Sequence, residues 1–198
     1  MREMIWRQVR FFLVLLGGYL VQVCIMPYLQ AGDVTPNMLV ATIAVVTVGY
    51  GRLRALWAGA FYGILMETFL ASVPMFNLML YPVCALLCSV PCADKSAARL
   101  QYERSIGKAG RNISPLLRTV ICAVLNAVCI EVVNLVYKYL NGAALTATAV
   151  GRALLCIAAT AAVTALIMIP MRKLLGFRKP DPEPTAQVRY GKPMRLED

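Results

Sequence analysis

Two carboxylates interrupt the long apolar runs of this chain, Glu67 and Glu131. Each has an amide nearby. Asn77 lies ten residues past Glu67, and Asn134 lies one helical turn past Glu131. Carboxylates among apolar residues can relay protons, bind a small molecule, or pin helices together through hydrogen bonds. A relay needs a connected polar path, and little polar sequence accompanies these two acids on their inner side. A pocket needs a few convergent polar groups in an apolar surround, and these four side chains form a candidate cluster. The packing role needs only a backbone or Asn partner for each acid, and it is the simplest of the three.

Catalytic patterns are missing from the sequence. There is no His. None of Ser72, Ser89, Ser96, Ser105 and Ser114 sits in a GxSxG turn. No phosphate-binding glycine loop or metal-ligand spacing occurs. The chain is expected to be no enzyme, with no cofactor and no metal. Its seven cysteines include Cys84, Cys88 and Cys92 on one helical face. Without a CxxC or a His they read as small apolar packing residues, not as a cluster or a disulfide framework.

These residues must be positioned by long apolar elements. The chain is 60% hydrophobic and 15% charged, which excludes an ordinary soluble domain of this length. The net charge of +10 raises nucleic acid as a partner. No folded soluble region remains to bind a duplex, so the charge is assigned to membrane orientation. The pattern predicts an all-α membrane protein with six transmembrane helices in one bundle. The first, Val9–Leu29, follows Arg2, Arg7 and Arg10. It resembles a signal peptide, but its apolar run is too long and lacks a small-x-small cleavage site. The second, Pro36–Tyr50, is too short to cross a hydrocarbon core of about 30 Å. It must pack inside the bundle or end in a thinned region.

The third helix, Leu53–Leu70, is the element around which the rest of the chain is expected to be organised. Ala55, Gly59 and Gly63 recur every fourth residue, and Glu67 is the next step on that stripe. Small residues on one face let two backbones approach, here a neighbouring helix or a partner's. The fourth helix, Phe76–Val90, contains Pro82 and stops before Pro91. The fifth runs from Leu117 to about Leu140, and the sixth from about Ala147 to Ile169. Glu67 and Glu131 lie about 21 Å and about 20 Å along their helices, at similar depth.

Basic residues set the orientation. Arg2, Arg7, Arg10, Arg52, Arg54, Arg118, the Pro91–Pro115 loop and the tail fall on one side. Only Lys138 and Arg152 fall on the other, where the loops are short. Both termini are therefore expected in the cytoplasm. The basic loop either rests on anionic lipid headgroups or docks a cytoplasmic partner. Residues 1–172 form the membrane domain, and 173–198 a Pro-containing tail read as extended and disordered.

Several stretches together resemble the bacterial rod-shape-determining protein MreD family. They are Pro36-Asn37-Met38-Leu39, Ala58-Gly59-Ala60-Phe61-Tyr62-Gly63-Ile64-Leu65-Met66-Glu67, and Pro74–Leu80 with Tyr81. Cys129-Ile130-Glu131-Val132 and Ile169-Pro170-Met171-Arg172 add to the likeness. The family tends to show P-D-L-L at the start of its second helix and A-G-F-x-x-G-L-x-x-D in its third. Here Asn37 and Glu67 stand where Asp is usual, and Phe76 stands where Gly is frequent. The resemblance implies a non-enzymatic scaffold of the cell-elongation machinery in the bacterial cytoplasmic membrane, acting on cell shape and lateral peptidoglycan synthesis. Implied partners are an MreC-like membrane-anchored protein and, indirectly, peptidoglycan synthases and cytoplasmic actin-like filaments. The family also looks similar in fold to the substrate-binding subunits of energy-coupling-factor vitamin transporters. The alternative function is such a transport subunit, with Glu67, Asn77, Glu131 and Asn134 lining its pocket.

Overall fold

The structure, a computed structural model, describes residues 2–30, 34–70, 75–92 and 114–176. Within these the chain is all helical. Its α-helices are α1 (Arg2–Cys24), α2 (Met38–Tyr50), α3 (Arg52–Leu70), α4 (Phe76–Cys92), α5 (Pro115–Leu140) and α6 (Ala147–Leu174). A 3-10 turn, Met26–Leu29, follows α1. Asp33, Ser72 and Pro74 lie outside the described residues. So do the basic loop with Lys95, Arg99, Arg104, Lys108 and Arg111, and the tail from Arg178 onward.

The bundle is built around α2, not around α3. Every residue of α2 from Met38 to Val48 is buried. Its sequence, MLVATIAVVTVGY, is apolar on all sides, which suits a helix surrounded by others. All five other helices contact it. Thr42 and Thr47 are tolerated there because each hydroxyl donates to its own helix, to Met38 O at 3.0 Å and Ile43 O at 2.7 Å. Shortness is what allows this position. At 13 residues, α2 is about 20 Å long and fits wholly within the bundle.

The outer helices each keep large apolar residues exposed. Examples are Leu13 on α1, Trp57 on α3, Leu87 on α4, Val132 on α5 and Leu166 on α6. Two helices, α5 and α6, are long and apolar enough to cross a membrane. They are also the longest, at 26 and 28 residues. Their joining turn and flanking residues 136 and 138–148 are exposed, so this hairpin stands proud of the bundle. The short loops read from the sequence conceal that projection.

One end of the bundle is tied by basic and aromatic groups. Arg54 stacks on Tyr50 at 4.3 Å and on Phe11 at 5.7 Å. The Tyr50 hydroxyl donates to Leu175 O at 3.1 Å. Arg52 donates to Val90 O at 3.3 Å. The start of α1 and the end of α6 therefore share one end of the bundle.

Two proline expectations are corrected. Pro91 lies inside α4 rather than after it, and Pro170 lies inside α6 rather than past its end at Ile169. Burial decides both. Cys92 packs in the core beyond Pro91, and Met171 and Leu175 pack in the core beyond Pro170. That packing, with the Tyr50 bond, outweighs the hydrogen bond each proline removes. Arg172 and Lys173 then fall in the last turn of α6, where cations complement the helix dipole.

Deleting side-chain volume from α2 should cost far more than deleting it from an outer face. Ile43→Ala is expected to lower stability by about 2–5 kcal/mol. Leu166→Ala, at a residue 77% exposed, should leave the unfolding midpoint nearly unchanged. Denaturant unfolding of the purified protein measures both, and equal losses would remove α2 from the centre of the core.

Candidate functional site

Two polar assemblies stand out. The first is the start of α2. A helix beginning inside a protein leaves N–H groups with no water to bond. Here Asn37 supplies the cap. Its Oδ1 accepts from Leu39 N at 3.1 Å and Val40 N at 3.2 Å. Met38 N donates to Gln22 Oε1 of α1 at 2.6 Å. Asn37 N donates to Thr160 Oγ1 of α6 at 3.0 Å. Asn37 Nδ2 reaches the Tyr81 hydroxyl of α4 at 3.4 Å. One helix start thus joins α1, α4 and α6. Asn37 stands in a sequence motif, whereas nothing in the sequence marks Gln22 or Thr160. Thr160 is hidden in the Ala- and Thr-rich middle of α6, where only close packing is legible.

The second assembly is the α3–α4 pair. A Cβ added to Gly59 would lie 2.8 Å from Pro82 Cα and from Tyr81 O. One added to Gly63 would lie 2.9 Å from Asn77 O and 3.0 Å from Leu78 Cα. Pro82 has no N–H, so the Leu78 carbonyl has no partner four residues on. The glycines let the α3 backbone come against those carbonyls. Ala55, on the same stripe, is fully buried. The small-residue face is therefore used within the chain.

Glu67 continues that stripe to the start of α4. Its Oε1 accepts from Met75 N, and its Oε2 accepts from Asn77 N at 3.2 Å. A carboxylate at a helix N-terminus satisfies free N–H groups and complements the dipole. It also holds Met75, a non-glycine residue with φ 63°, in a conformation costing of the order of 1–3 kcal/mol. Glu67 and Asn77 thus meet, with Asn77 contributing its backbone.

Glu131 and Asn134 are elsewhere. Together with Lys138, Thr146, Arg152 and Cys156 they line a cleft of about 400 Å³ between α5, α6 and the Val34–Thr35 segment that leads to α2. Glu67 and Asn77 do not line it. The ring of Phe76, at the start of α4, packs on Tyr137 at 4.8 Å. Tyr137 is six residues beyond Glu131, so the level at which Glu67 caps α4 lies about 9 Å from Glu131 along α5. The similar depth expected of the two acids is not what the fold produces. Distance along a helix gives depth only where the helices start at one plane, and α5 is longer than α3 and extends past it. Lys138 and Arg152, which the sequence shows only as charges flanking spans, belong to this site.

The cysteines lie mainly between α4 and α5. Cys88 and Cys129 approach to 3.7 Å between sulfurs, and Cys84, Cys92 and Cys122 are buried. All seven are free thiols. Among the described residues no group of three or more metal-type ligands converges.

No family model, no curated protein and no solved structure matches the chain.

Two substitutions test these assemblies. Asn37→Ala should lower stability by about 0.5–2 kcal/mol, as for a lost N-cap, while Asn37→Asp keeps the acceptor and most of the stability. Gly59→Ala should lower the melting temperature of the isolated chain, because the new methyl meets backbone rather than a movable side chain. Unchanged melting would mean the stripe does not hold α3 to α4.

Proposed function

We propose that this chain is a multi-pass membrane scaffold of the bacterial cell-elongation complex, similar in role to the MreD family. One observation carries the reading. In the two stretches Pro36–Leu39 and Ala58–Glu67, the residues that bear the resemblance do packing work rather than chemistry. Asn37 caps α2, Gly59 and Gly63 seat α3 on α4, and Glu67 caps α4. A scaffold needs a fixed helical frame, and these motif residues maintain one.

The membrane reading is supported by the exposed apolar faces of the five outer helices, which water would not tolerate and lipid would. In this proposal all six helices form the membrane bundle and both termini are cytoplasmic. The grouping of Arg10, Arg52, Arg54 and Arg172 toward one end fits that orientation. The partner would be an MreC-like membrane-anchored protein, linked through it to peptidoglycan synthases and filaments, and the basic segments would lie on anionic headgroups.

The partner surface follows from the packing. The glycine stripe is occupied by α4, so a partner helix would meet the opposite face of α3. That face carries Trp57 and Ile64, 65% and 54% exposed. The cleft beside Glu131 favours a second reading, a transport subunit, since outward clefts between helices are where small molecules bind.

Crosslinking from native membranes tests the proposal, with a photoreactive residue at Trp57 or Ile64. Recovery of a single-span protein with an extracytoplasmic domain, or of a peptidoglycan synthase, is expected. Recovery of a transporter membrane subunit with its ATPases would replace the scaffold by the second reading.

A further inference from the structure

The seam between α4 and α5 gathers five of the seven cysteines. Cys84, Cys88 and Cys92 stand four residues apart along α4, and Cys122 and Cys129 stand seven apart on α5. Both spacings return to one face of a helix. Packing pairs the thiols across the seam. Cys88 Sγ and Cys129 Sγ lie 3.7 Å apart, and Cys92 faces Cys122. No CxxC spacing marks the first pair, because its members are 41 residues apart in the chain. A disulfide needs its sulfurs about 2.0 Å apart, so closing Cys88 onto Cys129 takes about 1.7 Å of sulfur motion.

The surroundings decide what can oxidise this pair. Cys88 is buried, whereas Cys129 is half-buried and forms the open side of the contact. One turn from Cys129 along α5 stand Leu125, Val132 and Val133, all exposed and apolar. Leu87, beside Cys88, is exposed as well. Cys129 lies close to the middle of α5, Pro115–Leu140, so in the proposed membrane bundle it faces hydrocarbon. A charged disulfide peptide is excluded from that depth, and a lipid-soluble oxidant is admitted. Cys92 and Cys122 are 2% and 0% exposed, so the same oxidant meets no open thiol at the second pair.

We infer that Cys88 and Cys129 are a two-electron redox site, oxidised to a disulfide by a lipid-soluble quinone. Two S–H bonds break and one S–S bond forms. Both electrons and both protons pass to the quinone, whose two carbonyl oxygens become the hydroxyls of a quinol. The product ties α4 to α5 covalently. Gly59 and Gly63 seat α3 on α4, so the tie carries the α3–α4 pair onto α5. The inference rests on the membrane placement proposed above, and not on the scaffold role or its partners.

The test uses the purified full chain in nanodiscs, reduced and then freed of reductant without air. Decylubiquinone is the probe, and glutathione disulfide is the water-soluble comparison. With the quinone, free thiols counted after unfolding should fall from seven to five, with one quinol formed per chain. Peptide mapping should place the link at Cys88–Cys129. The oxidised chain should melt at a higher temperature, because the crosslink restricts the unfolded chain. Cys88→Ser and Cys129→Ser should each form no quinol and keep every remaining thiol free. Cys129 is half-buried, so its variant carries the test if Cys88→Ser does not fold. Glutathione disulfide should react at least tenfold more slowly than the quinone. The inference is overturned, with the membrane placement left standing, if all seven thiols survive the quinone. It is also overturned if the quinone stays attached as a thioether, or if the link maps to Cys92–Cys122. Equal reaction with glutathione disulfide would show a seam open to water, and would overturn the quinone route and the membrane placement together.

Discussion

A helix that begins inside a protein must find partners for its first N–H groups, and this one requirement organises the bundle. The start of α2 is met by Asn37, Gln22 and Thr160. Each buried N–H left without a partner would cost about 1–3 kcal/mol. The three partners come from the residue before α2 and from two helices far apart in the chain. Satisfying α2 therefore fixes where α1 and α6 stand. The arrangement is sensitive to rotation, since a turn of α6 by one residue would carry Thr160 away from Asn37.

The second constraint is proximity of backbones. Gly18 shows it at the junction of α1, α2 and α3, where an added Cβ would lie 2.7 Å from both Thr42 Oγ1 and the Tyr62 hydroxyl. Tyr62, fully buried, donates to Leu15 O at 3.0 Å. Gly59 and Gly63 show it again between α3 and α4. In both places a glycine on one helix makes room for polar atoms of another. Dispersion and hydrogen bonding then do what an apolar drive between helices cannot do once the surround is itself apolar.

The two acids divide along the same lines. Glu67 is consumed in capping α4, and its charge is matched by two N–H groups and a helix dipole. Glu131 faces a cleft whose other charged lining groups, among the described residues, are Lys138 and Arg152. Identical side chains in similar apolar runs thus have different roles. The difference comes from what the rest of the fold places opposite each one.

Much of the frame was legible in residue types alone. Apolar runs broken by charges and prolines located six helices, and the shortness of α2 left it either inside the bundle or ending in a thinned part of the membrane. The four-residue spacing of Ala55, Gly59, Gly63 and Glu67 marked one face, because helical periodicity is local. What lay opposite that face was not local. That α4 fills it, that α2 rather than α3 is the centre, and that Pro91 and Pro170 are carried inside helices follow from burial across the bundle. The Glu131 cleft belongs to the same class. Lys138, Arg152 and Thr35 come together only when α5, α6 and the chain leading to α2 are packed, and no pattern in the sequence specifies that contact.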